Sequence, residues 1–334
     1  MTCENVFRQL LPAACTGMWI IAAGHAAPSY TQTYPNLYPN RAVRIVVPLA
    51  PGGAVDGVAR IIAGPLSEAL HQSVVVDNRA GGATNIGTEI VAKSPPDGYT
   101  LLLTNSSAAA NVSLYPRLPY DFRKDITPIS LIATTPLVLI AHPSLPVKSV
   151  RDLIALAKSH PGQLAFGSAG ISSPAHICGE LLNLMAGTRM LHVPYKGGGP
   201  MLTDLLGGQI MIAFSGLLTA PQFEKSGKLR VLGHTGARRI ASIPDMPTIA
   251  EGGVPGYELV GYFALFTTGG TAPDVVARLH NELVRALAIP EIHKRIADSG
   301  AEVTGSTPKE LGVFVAKEIE KYAKLIHVAH IRPE

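Results

Sequence analysis

The sequence predicts an α/β protein of two similar units facing each other across a cleft. Three observations predict it. Short β-branched apolar runs alternate with amphipathic helical patterns along most of the chain, as in a parallel sheet flanked by helices. Several of those runs end in loops of glycine or hydroxyl residues before the next helix, and the device recurs in both halves. A chain of 334 residues also exceeds what one hydrophobic core fills, so two domains are expected. The composition, 47% hydrophobic and 16% charged, agrees with a well-packed globular protein. The net charge of +4 leans toward an anionic ligand. No dense Lys/Arg block is present, and nucleic acid is not an expected partner.

At the N-terminus, Arg8 precedes the apolar run Leu10 to Ala23, and Gly24-His25-Ala26 places small residues at the −3 and −1 positions of a cleavage site. Residues 1–26 therefore read as a signal peptide cleaved after about Ala26, with the mature chain in the periplasm. The apolar run is too short for a membrane anchor, which needs ~20 residues. Pro12 stands where a lipoprotein signal has Leu before Cys15, so lipidation is not expected. Cleavage removes Cys3 and Cys15 and leaves Cys178 in an apolar helical stretch, as a buried thiol with no disulfide partner.

After a polar, turn-rich leader from Ala27 to Pro39, the first strand is Val43–Val47. It stops at Pro48 and Pro51, passes through Gly52-Gly53 and opens into a helix from about Ala54 to Leu70. Strand, glycine turn, helix aims free backbone N–H groups at an anion, and glycines let backbone approach a ligand. A plain tight turn would use the same residues. Gly64-Pro65 is expected to kink that helix or end it early. Val74–Val76 is a second strand, followed by the glycine-rich turn Asn78 to Ala83 and a helix capped by Thr84 or Asn85. Thr100–Leu103 is a third, ending in Thr104-Asn105-Ser106-Ser107. Two strand-like runs follow between Ile129 and Ala141, where a second α/β unit begins. Its strands are Ala165–Gly167, Leu191–Val193, Ile210–Phe214 and Leu229–Gly233, its helices Val150–Ala157, Ile177–Met185 and a stretch to Leu206. Tyr257–Thr268 is a further strand, and helices Pro273–Leu287, Glu291–Ser299 and Lys309–Ile326 close the chain. Ligands of open α/β sheets bind outside the carboxyl ends of the strands, where these loops lie.

Catalytic signatures are missing. No lysine followed by Ser/Thr makes Gly52-Gly53 a P-loop, no G-x-G-x-x-G follows the strand, and no H-E-x-x-H or other metal-ligand spacing occurs among the histidines. No G-x-S-x-G elbow is present; Gly167-Ser168-Ala169-Gly170 has the wrong spacing. A binding protein needs none of these, no metal and no cofactor.

From Tyr38 to about Ile326 the chain resembles the periplasmic solute-binding proteins of tripartite tricarboxylate transporters, the Bug family. The resemblance rests on Val46-Val47-Pro48 with Ala50-Pro51-Gly52-Gly53 and Asp56, Asn78-Arg79 with Gly81-Gly82 and Asn85-Ile86-Gly87, and Pro96-Asp97-Gly98-Tyr99. Leu118-Pro119-Tyr120, Ser168-Ala169-Gly170, Val193-Pro194-Tyr195-Lys196-Gly197 and Asp204 to Gln209 continue it, and Pro247 to Glu251 with Pro255-Gly256-Tyr257 completes it.

The resemblance implies a periplasmic-binding-protein-like Venus flytrap with a ligand cleft between two α/β lobes. It divides the chain into a discontinuous first lobe, 27–132 with 254–334, and a second lobe, 133–253, hinged near Ala133 and Pro255. It implies a small carboxylate ligand held largely by backbone amides, and a two-subunit membrane permease as partner of a monomeric receptor. The first-lobe contacts it implies are the amides of Gly52, Gly53 and Ala54, Asp56, Thr104 and Ser106. Those of the second lobe are Ser168, Ala169, Gly170, Ser173, His176, Tyr195, Lys196 and Gly197. Where the family commonly shows Asn-Gly-Thr after Ser-Ala-Gly, this chain has Ile171-Ser172-Ser173, and Ser215 stands where many members are acidic. Losing that acid argues against an α-amino acid ligand. Two other readings use the same residues: a carboxylate sensor that presents its closed form to a membrane receptor, and a hydrolase using Ser173 and His176. Asp56 also reads as a helix N-terminal cap and Arg79 as a partner to a carboxylate.

Overall fold

The computed structural model describes residues 38–217, 223–240, 243–298, 300–329 and 331–333. The expected signal peptide and the leader through residue 37 lie outside them.

Strands β1 (Val43–Val47), β2 (Val74–Asn78) and β3 (Thr100–Thr104) form from the expected apolar runs and pair in parallel in the order β2-β1-β3. Alternate residues of β1 enter opposite cores, Val43, Ile45 and Val47 on one face and Val46 on the other. That is the period of a strand covered on both faces. Helix α1 (Ala54–Leu70) covers the first face with Val55, Val58, Ile62 and Leu66. It does not end early at Gly64-Pro65. Burying Leu66 and Leu70 beyond the proline, at about 1.5–3 kcal/mol each, offsets the ~3 kcal/mol of an interior proline. Helix α2 (Asn85–Ala92) begins after Thr84, whose side chain makes no capping bond; a left-handed backbone, φ 79°, occupies the cap position instead. Two short helices that sequence patterning misses follow, α3 (Ser107–Leu114) and α4 (Phe122–Asp125).

Where two runs are expected between Ile129 and Ala141, the structure has one 16-residue strand, β4 (Ile126–Ala141). Beyond it come α5 (Val150–Ser159), β5 (Ala165–Ser168), α6 (Pro174–Ala186), β6 (Leu191–Pro194), α7 (Gly198–Leu206), β7 (Ile212–Gly216) and β8 (Arg230–His234). The chain closes with β9 (Val260–Thr268), α8 (Pro273–Ala288), α9 (Pro290–Ala297), β10 (Glu302–Val303) and α10 (Pro308–Val328). One mixed sheet runs β2-β1-β3-β9-β4-β7-β5-β6, and β8 and β10 also pair with β4. The first part of β4, Ile126 to Pro136, lies antiparallel to β9, whereas Leu137 to Ala141 pairs with β7 and β8. Pro136, which has no N–H to give a ladder, sits at the changeover.

The second face of β1 and β3 is covered by α2, whose Val91 shares a core with Val46 and Leu102, while α10 packs on α3 and β4. That core is continuous into the other ladder. Val46, Leu102, Ala109 and Tyr322 share it with Phe166, Cys178, Ile212 and Tyr257. Cys178 is a free, buried thiol pushed up to about 12 by burial, and its carbonyl accepts from the Tyr257 hydroxyl at 2.8 Å. Among the described residues no helix is long and apolar enough to cross a membrane.

Candidate functional site

The loop after β1 is tied down by one carboxylate. Gly52 takes φ +83°, and its N–H donates to Asp56 Oδ2 at 2.9 Å. Arg60 Nε donates to the same oxygen at 3.0 Å, Arg60 Nη2 reaches Asn78 Oδ1 at 3.3 Å, and Asn78 Nδ2 donates to the Leu49 carbonyl at 3.1 Å. Burial raises the Asp56 carboxyl, but the bonds from Arg60, Gly52 and Asn78 outweigh it and hold it below the usual carboxylate range. Asp56 thus reaches back across its own helix start, the bracing role its position allows, and occupies the Gly52 amide. The amides of Gly53 and Ala54, both exposed at the start of α1, carry no hydrogen bond among the described residues. They are the donors this loop leaves for an anion.

At the end of β2, Arg79 turns to Asp77, with Nε 2.9 and 3.0 Å from its two oxygens. Ala83 and Thr84 hold left-handed backbone, φ 50° and 79°. The buried Asn111 of α3 pins them, its amide donating to the Ala83 carbonyl, Thr84 Oγ1 and Asn85 Oδ1. Thr104 and Ser106, at the end of β3, are buried, and neither hydroxyl has a hydrogen-bond partner among the described residues. Ser106 lies in range of the Tyr322 hydroxyl without a bond of good geometry.

In the second ladder, Ser168 Oγ accepts from Gly170 N–H at 3.1 Å and lies 3.0 Å from the Gly170 carbonyl and 2.6 Å from His192 Nε2. Ala169 is exposed, and its amide and that of Ile171 are unbonded among the described residues. Gly170, at φ +129°, passes so close to Tyr195 that a Cβ there would sit 3.2 Å from the Tyr195 carbonyl. Ser173 caps α6, its Oγ accepting from the His176 N–H at 3.3 Å. His176 Nδ1 accepts from the Ser172 N–H at 3.2 Å, which assigns its proton to Nε2. Burial, then His192, lowers His176 to about 3, and burial lowers His192 to about 4. Both rings are neutral at physiological pH.

The Tyr195 hydroxyl donates to Asp204 Oδ2 at 2.8 Å, which fixes the ring beside Gly167. Lys196 is exposed, Gly197 precedes α7 at φ +121°, and Ser215 lies half-buried in β7 opposite Val138. The loops of the two ladders meet where Ser107 Oγ donates to the Ser172 carbonyl at 3.3 Å. The Gly52-Gly53 loop makes no hydrogen bond to residues 168–173 among the described residues. Ser107, Asn111, Ser172 and His192 are the participants that sequence reasoning misses. Ser107 and Ser172 lie within hydroxyl-rich loops that the sequence shows, whereas nothing in the spacing of His192 distinguishes it.

Hydrolase geometry is not formed. Ser173 meets the backbone of His176 and not its ring. The Ser168–His192 pair is close, but Ser168 is fully buried and no carboxylate perturbs His192. No cluster of His, Cys, Asp and Glu side chains among the described residues could hold a metal. Two shallow hollows, ≈ 260 Å³ beside Ile326 and Arg332 and ≈ 490 Å³ over Ser67 to Val74, lie away from these loops.

The family model described as the tripartite tricarboxylate transporter family receptor matches residues 58–331. The chain belongs to that family. It is 38% identical to the protein BugT of Bordetella pertussis over 315 residues, covering 94% of this chain and 95% of BugT. Among solved structures, a Rhodopseudomonas palustris protein with adipate is 37% identical with a TM-score of 0.83, covering 89% of this chain and 100% of that one. The periplasmic binding protein BugD is 33% identical with a TM-score of 0.81, covering 89% and 100%. The fold of this tripartite tricarboxylate transporter receptor is therefore the α/β periplasmic-binding-protein fold expected from the sequence. Its relatives are solute-binding proteins and not enzymes.

Proposed function

We propose that this receptor is exported to the periplasm after cleavage near Ala26, captures a small carboxylate and delivers it as a monomer to a two-subunit permease. The lobes are 27–132 with 254–334, and 133–253, closing about a hinge near Ala133 and Pro255. The carboxylate is gripped by the amides of Gly53 and Ala54 and by the loop from Ser168 to Ser173, with Thr104, Ser106, Tyr195 and Lys196 around it. The observation that carries the reading is the pair of unbonded backbone donors at two strand ends, Gly53-Ala54 and Ala169 with Ile171. Such donors recognise an anion without a fixed cation. The adipate in the R. palustris relative supports a carboxylate. Isothermal titration of the mature chain against mono-, di- and tricarboxylates and amino acids tests it. Binding confined to carboxylates is expected, and silence across the panel overturns the proposal.

A further inference from the structure

Ser172 is held in an unusual state. It takes left-handed backbone at φ 59°, a region that L residues avoid and that persists where surroundings dictate it. Two bonds dictate it here: its N–H is committed to His176 Nδ1, and its carbonyl accepts from Ser107 across the junction of the two ladders. The residue is 1% exposed, and its hydroxyl has no partner among the described residues. Across that junction, Ser106 and Thr104 also bury unpartnered hydroxyls. A buried hydroxyl with no partner costs free energy in the empty protein, and a ligand group that bonds to it recovers that cost. Glycine at this position would relieve the backbone strain and remove the hydroxyl.

We propose that Ser172 is a specificity-determining residue whose hydroxyl hydrogen-bonds an uncharged hydroxyl carried by the carboxylate ligand, selecting hydroxycarboxylates over their deoxy counterparts. This rests on the carboxylate reading above. An uncharged group fits because the side chains at this junction are hydroxyls and the adjoining imidazoles are neutral. The acid beside them, Glu180, lies 3.9 Å from His176 Nε2 with its carboxyl raised by burial, and would repel a second carboxylate. The hydrogen bonds made by Ser107 and Ser172 among the described residues involve no lysine or arginine. A second charge would be buried without a counter-charge. A site built to bond a hydroxyl rejects an analogue lacking it, because its own polar group is then left unpaired.

The test is titration of the mature wild-type chain and S172G with three matched pairs, malate and succinate, lactate and propionate, citrate and tricarballylate, with adipate added. In at least one pair the hydroxy acid is expected to bind wild type tenfold or more tightly than its deoxy partner. S172G, which suits the left-handed backbone and should melt no lower than wild type, is expected to reduce that ratio to about threefold or less. A wild type that prefers no hydroxy acid, or an S172G chain that keeps the ratio or weakens both partners equally, overturns the inference while the carboxylate reading stands. If none of the seven acids binds, the carboxylate reading falls and takes this inference with it.

Discussion

The imidazoles of His176 and His192 are stacked, with ring centres 3.7 Å apart and planes 11° from parallel. Each ring is neutral because burial disfavours its charge, and protonating one makes protonating the other harder. Their folded-state values, about 3 and about 4, lie below the ~6.5 of an unfolded histidine. Between those limits the unfolded chain binds more protons, so the contribution of the stack is complete above pH 6.5 and is lost as pH falls toward 4. The melting temperature of the unliganded protein is expected to fall through that window. The H176N/H192N chain should show a distinctly shallower decline; parallel curves for the two proteins would refute a neutral stack.

Neighbouring glycines in the first loop should respond in opposite ways. Gly53 has ordinary extended backbone, φ −82° and ψ 172°, and a Cβ there would approach nothing nearer than the Ala50 carbonyl at 3.7 Å. G53V should keep its stability to within about 0.5 kcal/mol, as an unstrained surface change does. Its side chain would stand over the free amides and weaken carboxylate binding at least tenfold, about 1.4 kcal/mol. G52V places a side chain at φ +83° and should lose about 1–2 kcal/mol of stability. Calorimetric melts and titrations of both proteins separate the effects. A destabilised G53V that binds normally would restore the tight-turn reading.

Asn111 holds the strained start of α2. Replacing it with alanine removes the donor shared by the Ala83 carbonyl, Thr84 Oγ1 and Asn85 Oδ1. A loss of about 1–3 kcal/mol is expected in urea denaturation, the cost of leaving buried acceptors unpaired. No change in midpoint would mean that Ala83 and Thr84 keep their left-handed backbone without it.

Gly179 leaves room for one ring. A Cβ at this position would fall 2.0 Å from Cε2 of Phe166, the ring that also packs on His192 at 5.2 Å. G179A is expected to cost about 1–3 kcal/mol through overpacking. In G198A, by contrast, the new methyl meets nothing within 4 Å, and stability should stay within about 0.5 kcal/mol of wild type. Equal melting temperatures for the two variants would be the contrary result.

The strands and long helices were legible because their apolar residues repeat at two or at 3.6, and the loops at their ends because glycine and serine interrupt those periods. Helix α3 was not. Its residues Ser107 to Asn111 are all buried, so it shows no apolar stripe beside a polar one. The continuity of β4 was hidden by Thr134-Thr135-Pro136, which reads as a break until the strand's partners are known to change there. At the site, position in the chain pointed to Gly53, Ala54 and Ser168. It could not foretell that Asp56 consumes the Gly52 amide or that Tyr195 turns to Asp204, because those are pairings between side chains and a folded backbone. Ser172 looked like one more hydroxyl in a small-residue loop. Only its torsion angle and its empty hydrogen-bonding capacity set it apart.

Because a single backbone, β4, serves as the neighbour of β9 along one stretch and of β7 and β8 along the next, neither ladder keeps its edge if the other melts. The core they share through Tyr257 and Tyr322 ties the two further. Unfolding of the described residues is then expected to be one cooperative event, with no half that persists alone. On the proposed site, a bound carboxylate is accordingly expected to slow amide hydrogen exchange in β2, at the far edge of the sheet, by as large a factor as in β5, wherever exchange proceeds through global opening.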